Sequence, residues 1–550
     1  MSTIRTYLLA AAEKNPNGIA VRWKSHGEWK SVTHAERVPR ARAIAQLAAD
    51  LGLQPGDRAA LMMPNRVEWM DIYLGLACTA ISVVPLDAKF HEKEAAHILG
   101  DSGAAALFTD RSHLPLARAL APQLPALRAV IVVDATADDD MSSIGETTFL
   151  RYDEAVGRVA AQASSKTFDE RVPDESTVAS ILYTSGTTGR PKGAMLTHGN
   201  FASQIEGGQR AFRMYPTDNF LLVLPLHHAF AFSCNFLIPL GNRCEISIVE
   251  NLRTVAVNMR EVHPTFLLAV PLLAEKLLAS VMAKLRKNRM AMFLMKIGLT
   301  RLVGKKVIEG FGGRLRVIVS GGAAADPEIL RQIHAFGITT YEGYGLTETA
   351  PMCAISPEKD IRNGTVGKAM PGCELRIAEP NADGVGEIEV RGPNVMKGYF
   401  HNEAATAEVF DGDWFRTGDL GTLDADGYLS ICGRRKSLIV NREGKNIYPE
   451  EVEEAINAAP HILESLVLGF HEDGEKGERV GAILVPDLDA IAKDFPDKPS
   501  NEDIDAICRK EMQEAIAAIT AYKHPRKVVV RFDPFEKTTT LKIRRYLYKL

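Results

Sequence analysis

Short apolar runs alternate with longer segments of helical spacing along the first part of the chain. Asp57-Arg58-Ala59-Ala60-Leu61-Met62-Met63-Pro64-Asn65 reads as a strand running into a turn. Val67 to Cys78 places its apolar residues at helical spacing, and Ile81-Ser82-Val83-Val84-Pro85-Leu86 reads as a second strand. A strand, a helix and a strand in that order predict a parallel sheet with helices packed on it. Thr177 to Leu182 is a short buried strand feeding a polar turn, and Leu315 to Val319 is another that ends in glycines.

The pattern changes after residue 384. Glycine-rich hairpins run to 432, and a charged α+β segment begins at 437, where Pro449 and the acids behind it open a helix. The change predicts a boundary at Gly433-Arg434-Arg435-Lys436, hence domains 1–433 and 434–550. A chain of 550 residues is in any case too long for one core. Phe266 to Met282, its most apolar late stretch, is interrupted by Pro271, Glu275 and Lys276, so no membrane-spanning helix is predicted. The segment from Lys284 to Lys306 holds eight Lys/Arg and no acid, interleaved with Met292, Phe293, Leu294, Met295 and Ile297. It predicts a basic amphipathic helix, which suits either an outer helix with a wet face or peripheral contact with an anionic membrane.

Composition narrows the classes. A net charge of −4 argues against a nucleic-acid binder. Seven cysteines without a Cys-x-x-Cys pair indicate neither a zinc site nor a disulfide framework, and suit a reducing cytoplasm. Met1-Ser2-Thr3-Ile4-Arg5-Thr6-Tyr7 has no basic region leading into an apolar one, so no secretory signal is read there.

The densest candidate chemistry is Tyr183-Thr184-Ser185-Gly186-Thr187-Thr188-Gly189-Arg190-Pro191-Lys192-Gly193. Glycines let backbone approach an oxyanion, hydroxyls and free N–H groups donate to phosphate oxygens, and Lys192 adds a mobile charge. It is not a Walker A loop, because no Gly-Lys-Ser/Thr comes four residues after a glycine. Three further groups point the same way. Ser320-Gly321-Gly322-Ala323 comes directly after a strand, where open α/β sheets bind nucleotides. Tyr341-Glu342-Gly343-Tyr344-Gly345-Leu346-Thr347-Glu348-Thr349 sets an aromatic among glycines for a purine face and a carboxylate beyond it for Mg²⁺. Thr417-Gly418-Asp419 offers a charged acceptor suited to a diol.

From about residue 8 to 545 these motifs resemble the adenylate-forming superfamily of acyl-CoA synthetases, peptide-synthetase adenylation domains and luciferases. Bacterial long-chain fatty acyl-CoA synthetases are the most similar branch. The resemblance implies an α/β fold: a large N-terminal domain of helix-flanked β-sheets with a small distorted β-barrel subdomain, then a small mobile α+β C-terminal domain. It implies ATP, Mg²⁺ and coenzyme A as co-substrates, a fatty acid as substrate, and a homodimer among the expected assemblies. By the same resemblance Thr184 to Gly189 and Lys192 hold phosphates, and Gly321, Gly322, Ala323, Glu342, Gly343 and Gly345 line the nucleotide. Tyr344 stacks on adenine, Thr347 contacts the α-phosphate, Glu348 holds Mg²⁺, and Asp419 and Arg434 take the ribose. His228 and Phe232 mark the acyl pocket, Lys436 is the hinge, Gly444 lines the CoA path, and Lys542 is the adenylating lysine. The chain departs from its relatives at Ala80, where they usually carry Gly, and at Glu443, in place of a CoA-loop glycine. Leu541, where most relatives carry Gly, is shared with the long-chain branch. The remaining readings are a ligase loading an acyl carrier protein, an aryl or medium-chain acid ligase, and an inert acyl-adenylate-binding module.

Overall fold

A computed structural model describes residues 2–160, 166–184, 191–323, 326–443, 445–472, 477–497, 499–537 and 543–550. The chain forms two compact units, one of residues 1–375 with 390–415 and a second of 376–389 with 416–550.

The first unit is built on two sheets. In one, the strands Val178–Thr184, Ser82–Leu86, Arg58–Met62, Ala106–Asp110, Ala129–Val133 and Thr148–Arg151 lie side by side, all parallel. Lys192–Thr197 and Gly398–Tyr399 extend it antiparallel at the Val178–Thr184 side. The predicted strand–helix–strand at 57–86 is present, with Val67–Ala77 helical. That helix is buried nearly all round, which an interior helix between layers must be. Its buried acid, Asp71, is paired with Arg37 at 3.2 Å and Arg40 at 3.1 Å. Trp69, Tyr73, Phe201, Phe232 and Phe236 pack around it with ring centroids 4.6 to 6.3 Å apart.

The other sheet has nine strands. Phe266–Ala269, Val317–Gly321 and Thr339–Gly345 are adjacent and parallel in it, so their carboxyl ends open on the same edge. Ala80 adopts φ +61°, a left-handed conformation that costs a residue with Cβ about 1–2 kcal/mol and explains the glycine usual there.

The second unit carries an antiparallel hairpin, Trp414–Leu423 with Leu429–Arg434 (its residues from Arg416 onward belong to this unit), and a three-stranded sheet of Ile462–Phe470, Arg479–Pro486 and Lys527–Val530. The helices Pro449–Asn457 and Asn501–Ala515 cover that sheet through Val452, Ile456, Cys508 and Met512.

Within the second unit Asp419 pairs with Arg434 and Leu420 with Gly433, while Thr417 Oγ1 donates to the Ile388 carbonyl. These bonds join 386–389 to 416–434, and both stretches cluster with the residues up to 550. The basic segment 284–306 is not one helix but parts of three, Pro271–Arg286, Arg289–Lys296 and Thr300–Gly310. Asn288 caps the second, accepting from the Ala291 N–H, and Gly298 at φ +83° separates it from the third.

Candidate active site

Within the first unit the glycines of two motifs stand side by side: Ser320 pairs with Glu342, and Gly321 with Gly343. Crowding dictates the residue type. A Cβ on Gly321 would lie 3.1 Å from the Phe230 ring, and one on Gly345 would lie 1.7 Å from the Pro351 carbonyl oxygen. Gly322 turns the chain at φ +86°, which favours glycine. Tyr344 is buried opposite Ala354. Burial pushes the Glu342 carboxyl up to about 7.

After Gly345 one 3₁₀ turn, Thr347–Thr349, aims Glu348. Stretch 391–399 fixes that turn from behind. The Met396 N–H donates to the Glu348 carbonyl at 2.8 Å, and the buried Asn394 amide donates to the carbonyls of Thr349 and Met352 at 3.3 and 3.2 Å. The Tyr399 hydroxyl donates to Glu348 Oε1 at 2.9 Å. Gly398 and Tyr399 pair with Met195 and Ala194, which brings the Tyr399 ring to 5.1 Å from Lys192 Nζ. Lys192 and Glu348, far apart in sequence, therefore meet on one tyrosine. Tyr399 was absent from the expected site. Its pairing to Ala194 has no local signal in the sequence. Thr184 lies opposite Lys192 across the hairpin. Ser185, Gly186, Thr187, Thr188 and Gly189 lie outside the described residues.

His228 N-caps the turn Ala229–Phe232. Its loop is held by Asn65, whose amide donates to the Leu224 carbonyl and whose oxygen accepts from the Leu226 N–H, both at 2.8 Å. Phe232 has no exposed surface and packs among Trp69, Tyr73, Phe201 and Phe236, whereas Phe230, two residues earlier, reaches Gly321. A small interior void lies nearby, lined only by apolar side chains, among them Phe212, Phe220, Ile238, Leu268, Val319 and Met352.

In the second unit Asp419 and Arg434 face each other across the hairpin, with Arg434 Nε 2.8 Å from Asp419 Oδ1. Lys436 sits in the 3₁₀ turn Arg435–Ser437. Glu443 lies 3.7 Å from the Lys445 ammonium. Gly444 and Lys542 lie outside the described residues, but the flanks of Lys542 are anchored. Lys537 bridges to Ile543, Lys537 Nζ pairs with Glu464, and Arg545 donates to Glu453 at 2.9 Å and to the Val467 carbonyl at 2.7 Å.

Against this geometry stand the comparisons with known proteins. The AMP-binding enzyme family matches residues 8–400, and the AMP-binding enzyme C-terminal domain matches 451–542. This chain belongs to the AMP-binding enzymes. It is similar to the long-chain-fatty-acid–CoA ligase FadD15 of Mycobacterium bovis, 32% identical over 84% of this chain and 79% of that protein. It is also similar to the oxalate–CoA ligase of Arabidopsis thaliana, 30% identical over 92% and 90%. Among solved structures it is similar to ATP-bound MatB from Rhodopseudomonas palustris, 27% identical over 100% of this chain and 98% of that one, with a TM-score of 0.78. Membership of the AMP-binding enzymes carries AMP-forming acid–CoA ligation as the coarse activity, and the α/β fold is that of adenylate-forming enzymes.

Proposed function

We propose that the acid activated is a fatty acid, long-chain rather than short, and that CoA receives the acyl group. The similarity to FadD15, a long-chain-fatty-acid–CoA ligase, over 84% of this chain carries this reading.

The chemistry joins two anions. A carboxylate oxygen attacks the α-phosphorus of ATP, the bond to the leaving pyrophosphate breaks, and acyl-AMP forms. The thiol sulfur of CoA then attacks the acyl carbon, and AMP leaves. Glu348 suits Mg²⁺, since one hard carboxylate oriented by Tyr399 leaves the remaining positions to phosphates and water. Bound there, Mg²⁺ would neutralise phosphate charge. Lys192 steadies the departing phosphates, Thr347 donates to the α-phosphate, and Lys542 stands between carboxylate and α-phosphate, each acting where charge develops. Tyr344 stacks on adenine and Asp419 accepts the ribose hydroxyls. The C-terminal domain from 434 turns at Lys436, withdrawing Lys542 and opening the CoA path past Gly444. The exposed basic and apolar face around 284–306 rests on an anionic membrane, where such acids dissolve.

The test is formation of AMP and thioester, by mass, with acids from acetate to oleate and with oxalate, with and without CoA. Acyl-CoA rising with chain length is expected. A peak at acetate or oxalate, or acyl-AMP that accumulates while CoA is ignored, overturns the reading. The second of those outcomes would move the acceptor to an acyl carrier protein.

A further inference from the structure

Asp87, His227 and His228 bring one carboxylate oxygen and two ring nitrogens within 4.8 Å of one another. His227 Nε2 lies 3.1 Å from His228 Nε2 and 3.4 Å from Asp87 Oδ2. Ligand atoms of a tetrahedral zinc site, with bonds of about 2.0–2.1 Å, stand about 3.3 Å apart along each edge. Two of the three edges of this triangle are already near that length.

The scaffold holds the three groups in place. Asp87 comes directly after the buried strand Ser82–Leu86, and its Oδ1 accepts from the Lys89 N–H at 2.9 Å, which turns Oδ2 toward the histidines. The two histidines lie on the loop clamped by Asn65. Asp87 is 4% and His227 10% exposed at the side chain, so little solvent competes for their lone pairs. A hydrogen shared between the two Nε2 atoms satisfies the neutral pair, and when a metal takes both Nε2 lone pairs that hydrogen moves to Nδ1 of its own ring.

We propose that Asp87, His227 and His228 form a binding site for a borderline divalent transition metal, for which Zn²⁺ and Co²⁺ are the probes. Two imidazoles and one carboxylate favour these ions over Mg²⁺, which prefers oxygen alone. Three protein ligands leave a fourth position for water or another exchangeable ligand. The site is separate in composition from the Glu348 position, and it uses none of the seven cysteines, all of which are free thiols.

The full chain, freed of metal by chelator and dialysis, is titrated with Co²⁺ and then Zn²⁺. The expected result is one equivalent of Co²⁺ with the visible absorption of four-coordinate cobalt, displaced by Zn²⁺ and not by excess Mg²⁺. His227→Gln and Asp87→Asn are each expected to weaken binding at least tenfold. Should either variant fail to fold, diethyl pyrocarbonate labelling of the native chain serves instead, with Zn²⁺ expected to protect His227 and His228. Absent cobalt absorption, variants that titrate like the native chain, or labelling of both histidines unchanged by Zn²⁺ overturns the proposal.

Discussion

Tyr399 touches two groups of opposite charge at once, the Lys192 ammonium over its ring and the Glu348 carboxylate at its hydroxyl. Tyr399→Phe keeps the ring and removes only the hydroxyl. A hydrogen bond to a charged group contributes about 1.5–3 kcal/mol, so pyrophosphate release should slow roughly 10- to 100-fold. Half-maximal rate should also require more Mg²⁺, a shift that a merely structural tyrosine would not produce. Superimposable Mg²⁺ titrations of variant and native enzyme would remove Tyr399 from the positioning of Glu348. The motifs that hold Glu348 and Lys192 stand out in the sequence because they are local, each crowded with glycine and hydroxyl. The contacts of Tyr399 do not, because they depend on pairing with a strand two hundred residues earlier. Residues two apart on a helical turn point to nearly opposite sides, and the sequence does not say which of Phe230 and Phe232 faces the core.

Elements were more legible than their junctions. The strand–helix–strand at 57–86 declared itself by period, and the basic segment hid its breaks in single residues, Asn288 and Gly298, that the charge pattern outweighed. Composition shifts at Gly433 while cross-strand pairing continues through it. One junction yields a prediction. Arg545 is the cation facing Glu453, a carboxylate whose burial raises its pKa, and it also closes the end of the segment that carries Lys542. Arg545→Ala leaves that acid without this partner, a change that typically costs about 3–5 kcal/mol for a buried pair. Trypsin should then cut near the C-terminus. Acyl-AMP formation should fall at least tenfold, and thioester formation from supplied acyl-AMP should fall less. Equal loss of both half-reactions would show that Arg545 supports the whole unit rather than the lysine's segment.

At the scale of the whole chain, no helix among the described residues is long and apolar enough to cross a membrane. The first unit nevertheless exposes Met290 at 65%, Phe293 at 57% and Leu302 at 53% amid the lysines and arginines of 284–306. Each basic residue near an anionic surface contributes about 1 kcal/mol, and the attraction fades within a Debye length. The protein should therefore sediment with vesicles rich in phosphatidylglycerol at low salt and be released by high salt. Phe293→Asp should weaken the low-salt binding. Failure to sediment at low salt would leave the segment as an ordinary outer face. The same patch has a consequence for its product. A long-chain acyl-CoA carries several phosphates and an apolar tail, and so offers these side chains both of the attractions that a bilayer does. Were the proposed long-chain acyl-CoA the product, its accumulation would compete with lipid for the patch, and the enzyme would detach from the membrane in proportion to its own success.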